Sequence, residues 1–283
     1  AVANPMTVDV PVGTTYGDLL DLAGGALIKD YRLLVGGPMT GVLAPGEDVS
    51  PPDQLGVGKT TKGLIVLPPD HVLVKQRSVA MDLILQNAQS ACCQCRLCTD
   101  LCPRYLMGYD ILPHLALNRV NHGQSTDPLT IAQAFLCSDC GVCELYACPV
   151  NLSPRRIYQA LKAELIKHNV KNPHREDVSP PSPRRAWVGR HIPMQRLVKR
   201  LDLLEYAHDA NLFDGEFVPR KVYIPLYENI GGPVKMTVQV GDYVEKGQVL
   251  GASPPGHLGV VIHSSISGAI VDITRDVVVI KDG

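Results

Sequence analysis

Eight of the nine cysteines of this chain fall into two runs that share one grammar. The first reads Cys92-x2-Cys95-x2-Cys98-x3-Cys102-Pro103, and the second reads Cys137-x2-Cys140-x2-Cys143-x4-Cys148-Pro149. Three thiolates at i, i+3 and i+6 can wrap a loop around one corner of an iron–sulfur cubane. A fourth cysteine, turned outward by the following proline, supplies the ligand for the remaining iron. In two-cluster ferredoxins that fourth ligand serves the other cluster. The pattern therefore predicts one [4Fe–4S] cluster on Cys92, Cys95, Cys98 and Cys148, and a second on Cys137, Cys140, Cys143 and Cys102.

Zinc is the competing chemistry, because two Cys-x2-Cys pairs also make a ribbon. A zinc site has no use for a third cysteine at the same step, so the triplets favour iron–sulfur. A disulfide framework is disfavoured because nothing else suggests secretion. Cys93 breaks the spacing and reads as a small buried thiol. The second run departs from the usual pattern: four residues, Glu144 to Ala147, separate Cys143 from Cys148 where three are usual. A bulged turn could absorb the extra residue. His114 and His122 lie near the runs and read as histidines satisfied by neighbours.

The elements that must hold these cysteines are helical. Residues 78–90 lead into the first run, with Val79, Leu83 and Leu85 available for burial. Pro113 to Val120 and Asp127 to Leu136 supply two helices between the runs, with Asn121-His122-Gly123 as the break. Such a spacer predicts an α-helical ferredoxin. Ser153-Pro154 starts a further helix, with Ile157, Leu161 and Leu165 on its apolar face and Arg155, Arg156, Lys162 and Lys167 elsewhere. Asn172 through Pro183 is proline-rich linker. From Pro193, Leu197, Leu201 and Leu204 give an amphipathic helix predicted to pack on the ferredoxin module.

At 283 residues, 45% apolar and 19% charged, the chain has room for two or three globular domains. No apolar run approaches the ~20 residues of a membrane helix, and no signal peptide opens the chain. Cysteines kept for metal fit a reducing cytoplasm. The net charge is −1 but uneven: residues 150–200 carry twelve Lys/Arg against three Asp/Glu. Few aromatics interleave with that basic stretch, so it reads as a solvated or partner-docking face, not a nucleic-acid site. The chain opens at Ala1 in a way that suggests a fragment. Gly56-Val57-Gly58-Lys59-Thr60 imitates a phosphate loop, but the required first glycine is Asp53 and no apolar strand precedes it.

The amino-terminal stretch alternates from Met6 to Val10, turns at Pro11-Val12-Gly13, and gives a short helix capped by Thr15 with Asp18. Gly24-Gly25 stops that helix, and strands follow at Tyr31–Val35 and Leu64–Leu67. This order suggests a β-grasp-like unit. From Lys221 the period changes to two, and six short strands separated by glycines follow. The expected class is α+β and multidomain. Residues 1–70 form a β-grasp domain and 71–170 an α-helical ferredoxin with two [4Fe–4S] clusters. Residues 171–215 supply linker and helix, and 216–283 an all-β barrel-sandwich hybrid.

Several motifs carry family resemblances. Val10-Pro11-Val12-Gly13-Thr14, Gly36-Gly37-Pro38-Met39-Thr40-Gly41 and Lys59-Thr60-Thr61-Lys62-Gly63-Leu64 resemble the soluble-ligand-binding β-grasp domain of the Rnf C-subunit and complex I flavoprotein families. Val240 to Gln248 and Ile262 to Ile270 resemble the two halves of biotinyl and lipoyl carrier domains. Residues 251–262 hold no lysine to acylate, so this region reads as scaffold. With the cysteine runs, these motifs resemble the Rnf C-subunit and, more closely in domain order and in the x4 spacing before Cys148, the cobalamin reductase family of propanediol-utilisation microcompartments. That resemblance implies an oxidoreductase in which FMN and NADH belong to the full-length protein and are not expected in this chain. It implies cobalamin as electron acceptor, an adenosyltransferase and other microcompartment proteins as partners, and a cytoplasmic microcompartment location. An Rnf C-subunit-like electron carrier, or a scaffold with structural clusters, is the alternative.

Overall fold

The computed structural model describes residues 1–45, 55–120, 128–175, 181–207, 209–228 and 234–283. Asp53, His122 and the expected break at Asn121-His122-Gly123 lie outside them, as does Asp127. The chain divides into two compact units. One contains residues 1–37, 42–69 and 208–283, and the other contains 38–41 and 70–207.

In the first unit, Arg32–Val35 is the middle strand of an antiparallel three-stranded sheet, flanked by Val42–Leu43 and Leu64–Leu67. The helix Tyr16–Leu22 packs on it through Tyr16 and Leu20, against Leu33 and Val66. Its start is capped as expected, the Asp18 N–H donating to Thr15 Oγ1 at 3.0 Å. The strand expected over Met6–Val10 is shorter, Met6–Thr7, and pairs in parallel with Asn211–Leu212.

The carboxy-terminal strands form two open sheets. One runs Lys221–Pro225, Val277–Lys281, Gly268–Ile273, Tyr243–Val244; the other runs Val261–His263, Val249–Ala252, Lys235–Met236. Every pairing is antiparallel, and both sheets feed one core containing Val222, Ile224, Leu250, Ile262, Ile270 and Ile280. Alternating apolar residues make such a core because successive strand side chains face opposite sides. The strand Lys235–Met236 is short, and the Asp242 carboxylate accepts from the Gln239 N–H and turns the chain soon after it.

The second unit is helical. Val72–Ser78, which the sequence reading missed, precedes Met81–Ala91. Ile84 and Ala88 are the buried residues of the latter, whereas Leu83, expected inside, is 46% exposed. Ile84 and Ala88 are four apart and share one face; Leu83 falls off it. Pro113–Leu115 continues into a wide turn over Ala116–Val120, and Pro128–Ala132 into a tight one over Gln133–Leu136. The long helix Pro154–Lys167 buries Ile157 and Tyr158. Ser153 holds its cap position but makes no side-chain cap bond. Met194–Arg200 packs on the cysteine module as expected, with Arg200 donating to the Cys148 carbonyl at 2.8 Å. Leu201 is buried, but Leu204 is exposed: the helix ends at Arg200, and Asp202 at φ +57° breaks the period. Among the described residues no helix is long and apolar enough to cross a membrane.

Candidate iron–sulfur centres

Both cysteine runs bend the backbone in the same way. Each thiolate of the second triplet stands 45 positions after its counterpart: 92 and 137, 95 and 140, 98 and 143. The residue before the middle cysteine is left-handed in both, Gln94 at φ +52° and Asp139 at +56°. The residue after it is left-handed too, Arg96 at +64° and Gly141 at +78°. Alternating hands in so short a stretch coil the chain tightly enough to aim three successive side chains inward.

The runs then diverge where the spacing does. Between Cys98 and Cys102 the chain forms an ordinary helical turn, Leu97–Asp100. Between Cys143 and Cys148 it forms a π-type turn, Val142–Ala147. A π turn accommodates one more residue than an α turn, so it absorbs the additional residue and still delivers Cys148 to its proline.

Two hollows result. One, of about 330 Å³ including its open mouth, is lined by Cys102, Cys137, Cys140 and Cys143, together with Pro103, Arg155 and Tyr158. The other, of about 300 Å³, is lined by Cys92, Cys95, Cys98 and Cys148, together with Cys93, Arg96 and His114. Each hollow thus takes three cysteines from one run and the Cys-Pro cysteine from the other. Among the described residues no three His, Cys, Asp or Glu side chains converge tightly enough to hold a single metal ion. The thiols ring a space instead of meeting at a point.

Cys98, Cys102, Cys143 and Cys148 are buried. Burial pushes the Cys98 thiol up to about 12, with facing thiols adding to it, and the Cys137 thiol up to about 11, against a lowering hydrogen bond from the Asp139 backbone. Cys102, Cys143 and Cys148 are raised as well, again chiefly by burial. Such thiols resist ionising alone, and a bound cation reverses that preference. The Leu152 N–H reaches Cys148 Sγ at 3.3 Å, ready to stabilise a thiolate.

Cys93 corrects an expectation: it is exposed, not buried. Its neighbour Cys92 lies partly buried at the end of Met81–Ala91, and Cys93, though exposed, is still part of the lining of the same hollow. His114 is engaged as expected, its Nδ1 lying 2.7 Å from Thr99 Oγ1.

The sequence reading missed a set of residues behind the first hollow. Arg155, read there as lying off the apolar face, is 7% exposed and pairs with Glu144, 6% exposed, at 2.6 Å. Arg155 also donates to the Met39 carbonyl at 3.2 Å, and Arg77 donates to the carbonyls of Pro38 and Gly41. The segment 38–41 is thereby clamped onto the second cysteine run. One signal was present in the sequence. Pro154-Arg155-Arg156 puts two cations in the first turn of a helix, where the macrodipole disfavours them, so each needs another partner. Arg156 finds its partners in the Val79 and Gln76 carbonyls.

Three stretches of the chain match known domain families. Residues 91–153 match a 4Fe-4S dicluster domain, residues 209–283 the RnfC Barrel sandwich hybrid domain, and residues 1–43 an SLBB domain. The cobalamin reductase PduS of Citrobacter freundii is 39% identical over 285 residues, covering 100% of this chain. That of Salmonella typhimurium is 40% identical over 283 residues, again 100% of this chain. The chain is similar to these reductases over its whole length. It spans 60% of the length of each. The C-subunit of the proton-translocating ferredoxin:NAD(+) oxidoreductase complex of Clostridium ljungdahlii is 43% identical over 56 residues, 20% of this chain and 12% of that protein. The chain therefore carries regions similar to a 4Fe-4S dicluster domain and to a domain of the Rnf C-subunit.

Proposed function

We propose that the chain holds two [4Fe–4S] clusters and forms the electron-transfer part of an NADH-dependent, flavin-containing cobalamin reductase. Cys92, Cys95, Cys98 and Cys148 hold one cluster; Cys102, Cys137, Cys140 and Cys143 hold the other. The observation that carries this reading is the crossed lining of the two hollows, each taking its triplet from one run and its Cys-Pro cysteine from the other, with Cys93 as a fifth cysteine beside the Cys92 set. Rings of thiols suit a cluster with one iron per thiolate better than a single zinc ion, whose ligands must converge. A bound cluster exchanges one electron at a time, which matches the one-electron steps of corrin cobalt. The protein's part is to hold the thiols, bury their inner edge and leave Cys95 at the exposed rim.

The finer architecture completes the proposal. The amino-terminal sheet and helix form a β-grasp of the soluble-ligand-binding type, and the two carboxy-terminal sheets form the barrel-sandwich scaffold. FMN and NADH are used by the full-length protein, and Gly56–Thr60 gives this chain no phosphate loop for them, because position 53 is aspartate. Cobalamin is the acceptor, with an adenosyltransferase and other microcompartment proteins as partners in a cytoplasmic microcompartment.

Anaerobically purified chain should contain about eight iron and eight sulfide per chain. Reduced chemically, it should in turn reduce an oxidised cobalamin, followed by the corrin spectrum; NADH without flavin should leave that spectrum unchanged. Zinc at about two per chain with little iron would sink the assignment. Clusters that cannot be reversibly reduced would point to a structural role instead.

Cys93 separates ligands from bystanders. Cys93→Ser should keep both clusters, and in loaded wild-type protein Cys93 should be the one cysteine that an alkylating reagent modifies without releasing iron. Cys95→Ser should lose one cluster. Iron loss in the Cys93 variant would show that the register of the first run is wrong.

A further inference from the structure

We propose that Arg155 sets the redox order of the two centres, by donating its Nε–H to sulfur of the centre ringed by Cys102, Cys137, Cys140 and Cys143 and so holding it at the higher potential. The proposal rests on the two-cluster reading. Its observation is an unfinished hydrogen-bond account. Arg155 Nη2 serves Glu144 and Nη1 serves Met39, but the buried Nε has no partner. A buried guanidinium N–H without an acceptor is costly, and such groups in folded proteins ask for an explanation. Arg155 is part of the lining of that hollow, and Glu144 is not. Four cysteine sulfurs share that lining with Arg155, and the buried Glu144 Oε2, also without a partner, belongs to the carboxylate that Nη2 already engages.

The charges around the two centres are unequal. Arg155 is 7% exposed. Facing the other hollow, the Arg96 side chain is 49% exposed and spends its charge on Asp100 at 3.8 Å. His114 also faces that hollow, bonded to Thr99. Lys162, which donates to the Cys137 carbonyl at 2.9 Å, is 27% exposed and paired with Asp139. Water screens the exposed pairs far more than the buried Arg155–Glu144 pair, whose charges largely offset each other, so what distinguishes Arg155 is its unengaged Nε–H. Reduction would add one electron to a centre, and a fixed buried donor to its sulfur would favour the reduced state. A difference of that sign would let an electron on the Cys92 centre pass to the Cys137 centre.

The test is a potentiometric EPR titration of the anaerobic, loaded chain. The Cys95→Ser variant identifies which signal belongs to the Cys137 centre. In wild-type protein that centre should be reduced first. In Glu144→Gln/Arg155→Met both buried charges leave together, so neither is stranded. Its Cys137 centre should become about tenfold harder to reduce, about 59 mV for a one-electron couple, while the other midpoint stays in place. Glu144→Gln alone keeps Arg155 and should make the same centre easier to reduce, which tests the idea even if the double variant does not load. An unmoved Cys137 midpoint, an equal shift of both midpoints, or wild-type protein that reduces its Cys92 centre first would each overturn the role of Arg155 while leaving two clusters intact. A chain that shows no pair of cluster signals overturns the two-cluster reading itself.

Discussion

Changing Cys102 to alanine should remove the cluster of the other run. Iron should fall from about eight to about four per chain, and the surviving EPR signal should be that of the Cys92, Cys95 and Cys98 centre. The argument is positional. Cys102 is 8% exposed, and the wall it shares contains Cys137, Cys140 and Cys143, at least 35 residues away in sequence. Its facing thiol is Cys140. Alanine leaves one corner of that ring without a ligand in a buried place that water reaches poorly. Survival of the Cys137 centre with loss of the Cys92 one would rule out crossed ligation.

Replacing Gly141 with valine should be equally damaging, for a backbone reason. Gly141 sits at φ +78°, and a Cβ there would lie 2.7 Å from the Met39 carbonyl oxygen and 3.2 Å from Leu145 Cδ1. The left-handed conformation alone costs a branched side chain roughly 1–3 kcal/mol. Displacing the clamped 38–41 segment adds to that, so about 3 kcal/mol or more should be lost, together with the second cluster. The equivalent position in the first run is Arg96, at φ +64°. It already carries a side chain, and that side chain is half exposed. Arg96→Gly should therefore remain within about 1 kcal/mol of wild type. Denaturant melts of the loaded proteins under anaerobic conditions read both. A Gly141→Val protein as stable as wild type would show that the 38–41 clamp yields easily.

Much of the site was legible because cysteine spacing is a local property. Three ligands within seven residues, a proline after the fourth and one extra residue before Cys148 can all be counted along the chain. The π turn over Val142–Ala147 is what that extra residue looks like in space. The strand periods of the carboxy-terminal sheets and the Thr15 cap were legible for the same reason. Arg155 was not, since arginine two residues into a helix reads as solvated. Its burial depends on Glu144 eleven residues earlier and on Met39, 116 residues away. The motif Gly36 to Gly41 was read as part of the amino-terminal domain, yet residues 38–41 belong to the unit that holds the cysteines. Leu83 and Leu204 misled because an apolar residue near the right phase was counted as inside it. The mixed class of helices and sheets was legible; the open carboxy-terminal sheets show no closed barrel among the described residues.

The crossed walls also act on the unfolded chain. On the proposed ligation, a cluster tied to Cys98 and Cys148 would close a loop of 50 residues, and one tied to Cys102 and Cys137 another of 35, the second nested within the first. By the loop-closure scale for covalent cross-links, each closure removes roughly 4 kcal/mol of chain entropy from the denatured ensemble. Inorganic knots then stand where a secreted protein of similar build would place disulfides. On the proposed crossed ligation, a chelator that strips iron from either centre should loosen both cysteine runs, because neither run would complete a ligand set on its own. Iron supply would thus govern how long the helical unit survives proteases as much as how well it conducts.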